Sequence, residues 1–277
     1  MTLLGVALGL LSATVFGVAA VVQARAVRGF ESSPTGLLGF VARSVRDVRT
    51  MVVVAAYLVG FLLHAAAIWL LPLYLAQALV AMSLPVTALT SHRVEDRLES
   101  TGWASVGLVT LGLVLLSLGA GAPGEVQTTG VFVTVIWGGV AALSVASAFA
   151  RHLAGPVLGL LAGLGYAGSA ISVRGLGTPV TSVVVIAAVA VPSFSVFAFW
   201  LYSLGMHRAA VPSTTAALIV TQTFVPAAVG VALLGDGVRD GWWPAVVVGL
   251  AFSTSGAVLL GRQKSRVRGE ALNAASR

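Results

Sequence analysis

Residues 50–71 read TMVVVAAYLVGFLLHAAAIWLL, a run without a single Asp, Glu, Lys or Arg. About 20 consecutive apolar residues is the length at which an α-helix crosses roughly 30 Å of hydrocarbon. Runs of the same kind recur toward both ends of the chain, over 2–24, 73–91, 103–120, 129–150, 154–173, 181–204, 210–234 and 242–261. Only Pro72 parts the second run from the third, where it marks a tight turn or a kink. The reading is an all-α polytopic membrane protein with about nine transmembrane helices. Composition agrees: 58% of the 277 residues are hydrophobic and 9% charged, against about 25% charged in a soluble domain.

The net charge of +7 points to lipid, not nucleic acid. The basic residues lie in short segments between apolar runs and in the tail, where they suit an anionic membrane leaflet. With the N-terminus outside, all of the 16 Lys and Arg residues except Arg174 and Arg239 fall in inner segments, as the positive-inside rule requires. The C-terminus, with a basic tail over 262–277, is then cytoplasmic. No basic region precedes the first run, so it reads as an uncleaved anchor and not a signal peptide. Residues 34–47 are too short an apolar stretch to span and read as an interfacial or re-entrant segment. Arginine in place of all but one lysine, with abundant Ala, Val and Gly, suggests a GC-rich bacterial genome and hence the bacterial inner membrane. Cysteine is absent, which removes disulfide and thiolate chemistry.

The chain repeats itself. GVALGLLS at residues 5–12 is echoed by GPVLGLLA at 155–162, an offset of 150 residues. Pro72, Pro85, Asp96 and Trp103 then find partners in Pro212, Pro226, Asp236 and Trp243 at offsets of 140 or 141. The single drop in offset falls where the first half carries its extra segment, between Arg25 and Arg49. Two four-helix repeats follow, 1–120 and 154–261, joined by a linker helix at 129–150. Four crossings return the chain to its starting side, and one linker helix makes the second repeat enter from the opposite face. Inverted repeats are the plan of many secondary transporters, with the substrate site at the repeat interface near midplane.

LLPLYLAQAL at 70–79, Pro85, VEDRLE at 94–99, Trp103 and GLVLL at 112–116 resemble the end of a repeat in the drug/metabolite transporter superfamily. Pro212, Pro226, LGDG at 234–237, Trp243 and GAVLLG at 256–261 form a similar second copy. The resemblance implies transport without naming a substrate. It also implies two five-helix halves; here the second helix of each half is shortened or missing, a layout closer to the magnesium-transporter-like branch related to the NIPA proteins. The family's acidic residue after the fourth helix stands here as Asp96 or Glu95, and as Asp236.

Polar groups inside hydrocarbon are costly and mark candidate sites. No Asp, Glu, Lys or Arg falls well inside a span, so neither a proton-carrying carboxylate nor an oxygen cage for a divalent cation is visible. His64 could relay a proton or donate to a substrate, or simply join two helices. Gln77 and Gln222 occupy matching helices upstream of Pro85 and Pro226, the expected helix breaks. Thr221, Gln222 and Thr223 form the densest polar cluster in any span. Tyr166, Ser169 and Ser172 are spaced by three on one helix, and Gln23 closes the first span. These are the candidate cavity residues, each with helix packing as its alternative. Asp96 and Asp236 are candidate gates or helix-end charges, with a solvated loop position as the alternative. Gly155, Gly159 and Gly163 form a small-xxx-small stripe that packs helices within the bundle or between two copies, leaving a homodimer open. Trp200, Trp242 and Trp243 read as interfacial anchors. No catalytic constellation, metal site or cofactor motif is present. The expected function is alternating-access transport, inward or outward, of a small uncharged or amphipathic metabolite. The alternatives are a flippase for a lipid-linked sugar, a non-transporting accessory protein of envelope assembly, and a Mg2+ transporter.

Overall fold

The computed structural model describes residues 2–28, 39, 47–92, 100–119, 121–124, 127–209, 211–256 and 258–259. Among these, regular structure is helical: α1 (Thr2–Arg28), α2 (Val48–Leu70), α3 (Leu73–Ala81), α4 (Ser83–His92), α5 (Ser100–Leu118), α6 (Gly130–Ala148), α7 (Gly155–Arg174), α8 (Ser182–Arg208) and α9 (Val211–Leu233), then α10 (Trp243–Gly256). Five of them, α1, α2, α6, α7 and α8, are long and apolar enough to cross a membrane. The interfacial or re-entrant segment at 34–47, the tail at 262–277 and Asp96 lie outside the described residues, Gly39 and Asp47 excepted.

Local chemistry sets the helix starts. Asp47 accepts the Thr50 N–H at 3.0 Å and caps α2, while Thr129 accepts the Phe132 N–H at 3.1 Å and caps α6. Such caps contribute about 1 kcal/mol each by satisfying an otherwise orphaned donor. Pro156 stands in the first turn of α7, where its missing N–H costs nothing.

Three expectations are corrected. The run 73–91 is not one helix: α3 and α4 part at Met82, whose N–H is shared between the Leu79 and Val80 carbonyls. Pro85 falls in the first turn of α4, so the break lies three residues before the proline, where its ring would crowd the Ala81 carbonyl. Pro226 does not break its helix, for α9 runs through it. Packing holds the turn together despite one lost hydrogen bond. Trp200 is no interfacial anchor either, being only 7% exposed. The helix continues past it to Arg208, which leaves the indole two turns inside.

Glycines set the helix contacts. On α7, a Cβ at Gly159 would come 2.3 Å from the Thr214 carbonyl, and one at Gly163 2.5 Å from that of Leu218. The stripe is therefore consumed within the chain, Gly159 and Gly163 by α9 and Gly155 by Ala209 and the Gly205 carbonyl at the end of α8. The ascending register, 159 on 214 and 163 on 218, makes α7 and α9 parallel. Gly5, Gly9 and Gly17 of α1 meet Leu71, Leu79 and the Ser83 carbonyl in the same ascending order.

The bundle has two dissimilar ends. At one, where α1 and α8 finish and α2 begins, Gln23 bridges Tyr57 and Ser203. At the other, Ile68, Leu71, Leu73, Tyr74, Leu116, Val173 and Val246 form a solid apolar cluster. There α3 is buried along its whole length. Much of the outer surface is apolar, with Leu62, Val135, Val185 and Val247 all exposed, as a lipid-facing surface requires.

Candidate functional site

α1, α2, α3, α4, α7, α8 and α9 enclose a cavity of about 530 Å³, within the roughly 300–1,000 Å³ range of small-molecule sites. Its surface is overwhelmingly apolar, and among the described residues no Asp, Glu, Lys or Arg lines it. Phe16, Tyr57, Phe61 and Phe199 build aromatic walls. Tyr57 leans on Phe16 with ring centroids 5.7 Å apart and meets Phe199 edge-on at 5.6 Å, joining α1, α2 and α8.

His64, Gln77, Tyr166, Ser169 and Gln222 all line this cavity. His64 Nε2 and Gln77 Nε2 lie 3.1 Å apart. An amide nitrogen can only donate, so with this amide orientation the imidazole accepts at Nε2 and is neutral with its hydrogen on Nδ1. His64 Nδ1 is buried without a hydrogen-bond partner. Ser169 Oγ pairs with Ser195 Oγ at 3.1 Å across α7 and α8, and Tyr202 Oη pairs with Thr215 Oγ1 at 2.6 Å across α8 and α9. Gln222 is 7% exposed, yet its amide makes no hydrogen bond among the described residues, and neither does the Tyr166 hydroxyl. Gly163 touches Thr221, so the parallel register of α7 and α9 brings Tyr166 and Gln222 to about the same level.

Other candidates lie elsewhere. Gln23 stands behind the wall, accepting the Tyr57 hydroxyl at 2.7 Å and donating to Ser203 Oγ at 2.7 Å. Thr221 Oγ1 donates back to the Ala217 carbonyl at 3.1 Å, and Ser172 to that of Gly168 at 2.7 Å. Thr223 Oγ1 is buried without a partner. The helical turn of about 100° per residue sends only one of Thr221, Gln222 and Thr223 into the cavity. Pro85 and Pro226 are buried outside its lining.

Asp236 is not a solvated loop residue. It is 4% exposed, at the end of the bundle away from Gln23. Oδ1 accepts Arg174 Nη2 at 2.6 Å and the Gly124 N–H at 3.0 Å, and Oδ2 accepts the Leu73 N–H at 2.6 Å. Arg174 Nη2 also donates to the Gly124 carbonyl at 2.8 Å. With the apolar cluster around Tyr74, this network closes the cavity's far end.

Toward its side the cavity is open. Met51 and Leu58 of α2 and Val196 of α8 line it while remaining 42%, 58% and 45% exposed. A seam between α2 and α8 therefore connects the interior with the apolar outer surface.

Sequence reasoning missed Tyr57, Tyr202, Phe199 and Pro192, all of which line the cavity. Three of the four tyrosines converge there, and phenols in mid-run were a legible signal, since a buried hydroxyl needs a partner. Among the described residues, no group of three or more His, Asp or Glu is placed to hold a metal ion. No protein-family model, curated protein or solved structure matches this chain.

Proposed function

We propose that this chain is a membrane-spanning carrier that moves a small uncharged or amphipathic molecule by alternating access. The observation that carries the reading is the cavity itself: neutral, aromatic-walled, plugged at the Arg174–Asp236 end and open through a side seam. A fold that served only as a scaffold has no use for a void of this size lined by an unpaired amide and an unpaired phenol, since voids and unpaired polar groups cost stability.

The nine-span, two-repeat plan belongs to this proposal, and packing supports it. α1 seats its glycines on α3 and α4 as α7 seats its own on α9, both in parallel register. α5 and α10 approach each other through Gly112 and Gly249, a Cβ at either one meeting the other's carbonyl within 2.8 Å. Such a self-complementary crossing is what a two-fold between repeats produces. The arginine bias orients the plugged end outward and the Gln23 end toward the bacterial cytoplasm. The motifs resembling the drug/metabolite transporter superfamily fit the same plan.

The seam favours a second reading within transport, a flippase that takes a lipid-linked molecule sideways. A divalent cation fits poorly, because no carboxylate lines the cavity among the described residues and such ions want oxygen-rich, anionic ligand sets.

Purified protein in liposomes, offered a panel of uncharged metabolites, lipid-linked sugars and cations, tests the reading. Uptake of an uncharged or amphipathic solute above empty liposomes, lost in Gln77→Leu and Gln222→Leu, is the expected result. No movement of any solute, with both variants leaving the cellular phenotype intact, would end it.

A further inference from the structure

We infer that the cavity's ligand is a neutral, single-headed amphiphile drawn from the lipid phase, its head held by Gln222 and Tyr166 and its hydrocarbon body lying toward the α2–α8 seam. The inference deepens the carrier reading by naming a ligand class, and rests on the same cavity.

Three independent features point to that class. Among the described residues no side chain of fixed charge lines the cavity, so an ionised head would be desolvated with nothing there to compensate it. Among the described residues of the facing helices α7 and α9, two neutral lining groups wait without partners: the Gln222 amide, on a residue 7% exposed, and the Tyr166 hydroxyl. Between them they offer both donors and acceptors, enough for one hydroxyl or carbonyl head but not for a sugar with a hydroxyl on every carbon. Most other lining hydroxyls are committed, Ser169 to Ser195, Tyr202 to Thr215, Tyr57 to Gln23 and Thr87 to the Ser83 carbonyl, which leaves His64 Nδ1 and the Ser83 hydroxyl across the cavity on α2 and α4. Finally, the seam is flanked by Met51, Leu58 and Val196, side chains that present no barrier to a hydrocarbon chain and no attraction to a hydrated solute.

Binding of farnesol, a neutral isoprenoid alcohol, and of farnesyl phosphate, its anionic counterpart, to the full chain in lipid nanodiscs tests the assignment. Farnesol should bind, with farnesyl phosphate weaker by roughly tenfold or more. Gln222→Leu and Tyr166→Phe should each weaken farnesol by roughly three- to tenfold, with unfolding temperatures near that of the parent. Because the chain has no cysteine, Leu58→Cys supplies a unique thiol at the seam. Saturating farnesol should slow its alkylation by a lipid-soluble maleimide, while Leu62→Cys, exposed but outside the cavity lining, should be unaffected. Equal affinity for the two probes, unchanged farnesol binding in both head-group variants, or Leu58→Cys alkylation indifferent to farnesol would each overturn the proposal. Binding without movement in liposomes would defeat the carrier reading and leave this one standing. Movement of a polar metabolite without farnesol binding would do the reverse.

Discussion

Arg174 Nη2 lies 2.6 Å from Asp236 Oδ1, and the carboxylate also receives the backbone N–H groups of Leu73 and Gly124. One side chain thus ties together the end of α7, the start of α3 and the loops after α5 and α9. Removing one member of a buried pair leaves the other charge uncompensated, at about 3–5 kcal/mol. Arg174→Met should cost about that much. Adding Asp236→Asn removes the stranded charge while keeping an acceptor oxygen, so the double variant should regain over half of the loss. Thermal unfolding in detergent micelles reads this directly, and additive losses would count against a coupled pair.

Gly159 is the tightest point of the α7–α9 contact among the stripe positions, with a carbonyl where a Cβ would stand. Gly159→Val should force the helices apart and cost about 1–3 kcal/mol, seen as lost folded yield and a lower unfolding temperature. Gly138, with nothing within 4 Å of a built Cβ, should accept alanine without penalty.

Gln23 works through Tyr57. Gln23→Leu should strand the Tyr57 hydroxyl, at about 1–3 kcal/mol, while Ser203 Oγ keeps its bond to the Phe199 carbonyl at 2.8 Å. In a Tyr57→Phe background the same change should cost less, because the stranded hydroxyl is gone. A double-mutant cycle on unfolding free energies measures that coupling, and strict additivity would place Gln23 outside the network.

The arginine asymmetry carries a topological prediction. A green fluorescent protein fused at the C-terminus should fluoresce in bacterial cells, and an alkaline phosphatase fused there should be inactive, as the positive-inside rule requires of a cytoplasmic terminus. The opposite pair of results would invert the proposed orientation.

Much of this arrangement could be read from residue order because hydrocarbon imposes so simple a rule. A helix of about 20 apolar residues announces itself, and the starts of α2, α6 and α7 fall within three residues of the run boundaries. Polar residues in such runs are few, which is why His64, Gln77, Tyr166, Ser169 and Gln222 could be singled out. What stayed hidden was facing. Thr221 and Gln222 are neighbours in the chain, yet one bonds its own helix and the other opens into the cavity, a difference set by helix rotation. Prolines misled in the same way. Pro85 and Pro226 occupy matching places, but the chain parts three residues before one and runs straight through the other, because neighbouring helices decide whether a missing hydrogen bond becomes a break. The Arg174–Asp236 pair joins residues from two loop-bordering positions far apart in the chain, a contact that no local pattern encodes.

The side seam has a practical corollary for any affinity measured on this protein. A ligand that arrives between Leu58 and Val196 comes from the bilayer, so its reservoir is the hydrocarbon phase and its effective concentration is a mole fraction in lipid. Acyl chains share that reservoir and compete for the same apolar walls. Apparent dissociation constants referred to aqueous molarity should therefore drift with the amount of lipid in the assay, while constants expressed per lipid should stay fixed.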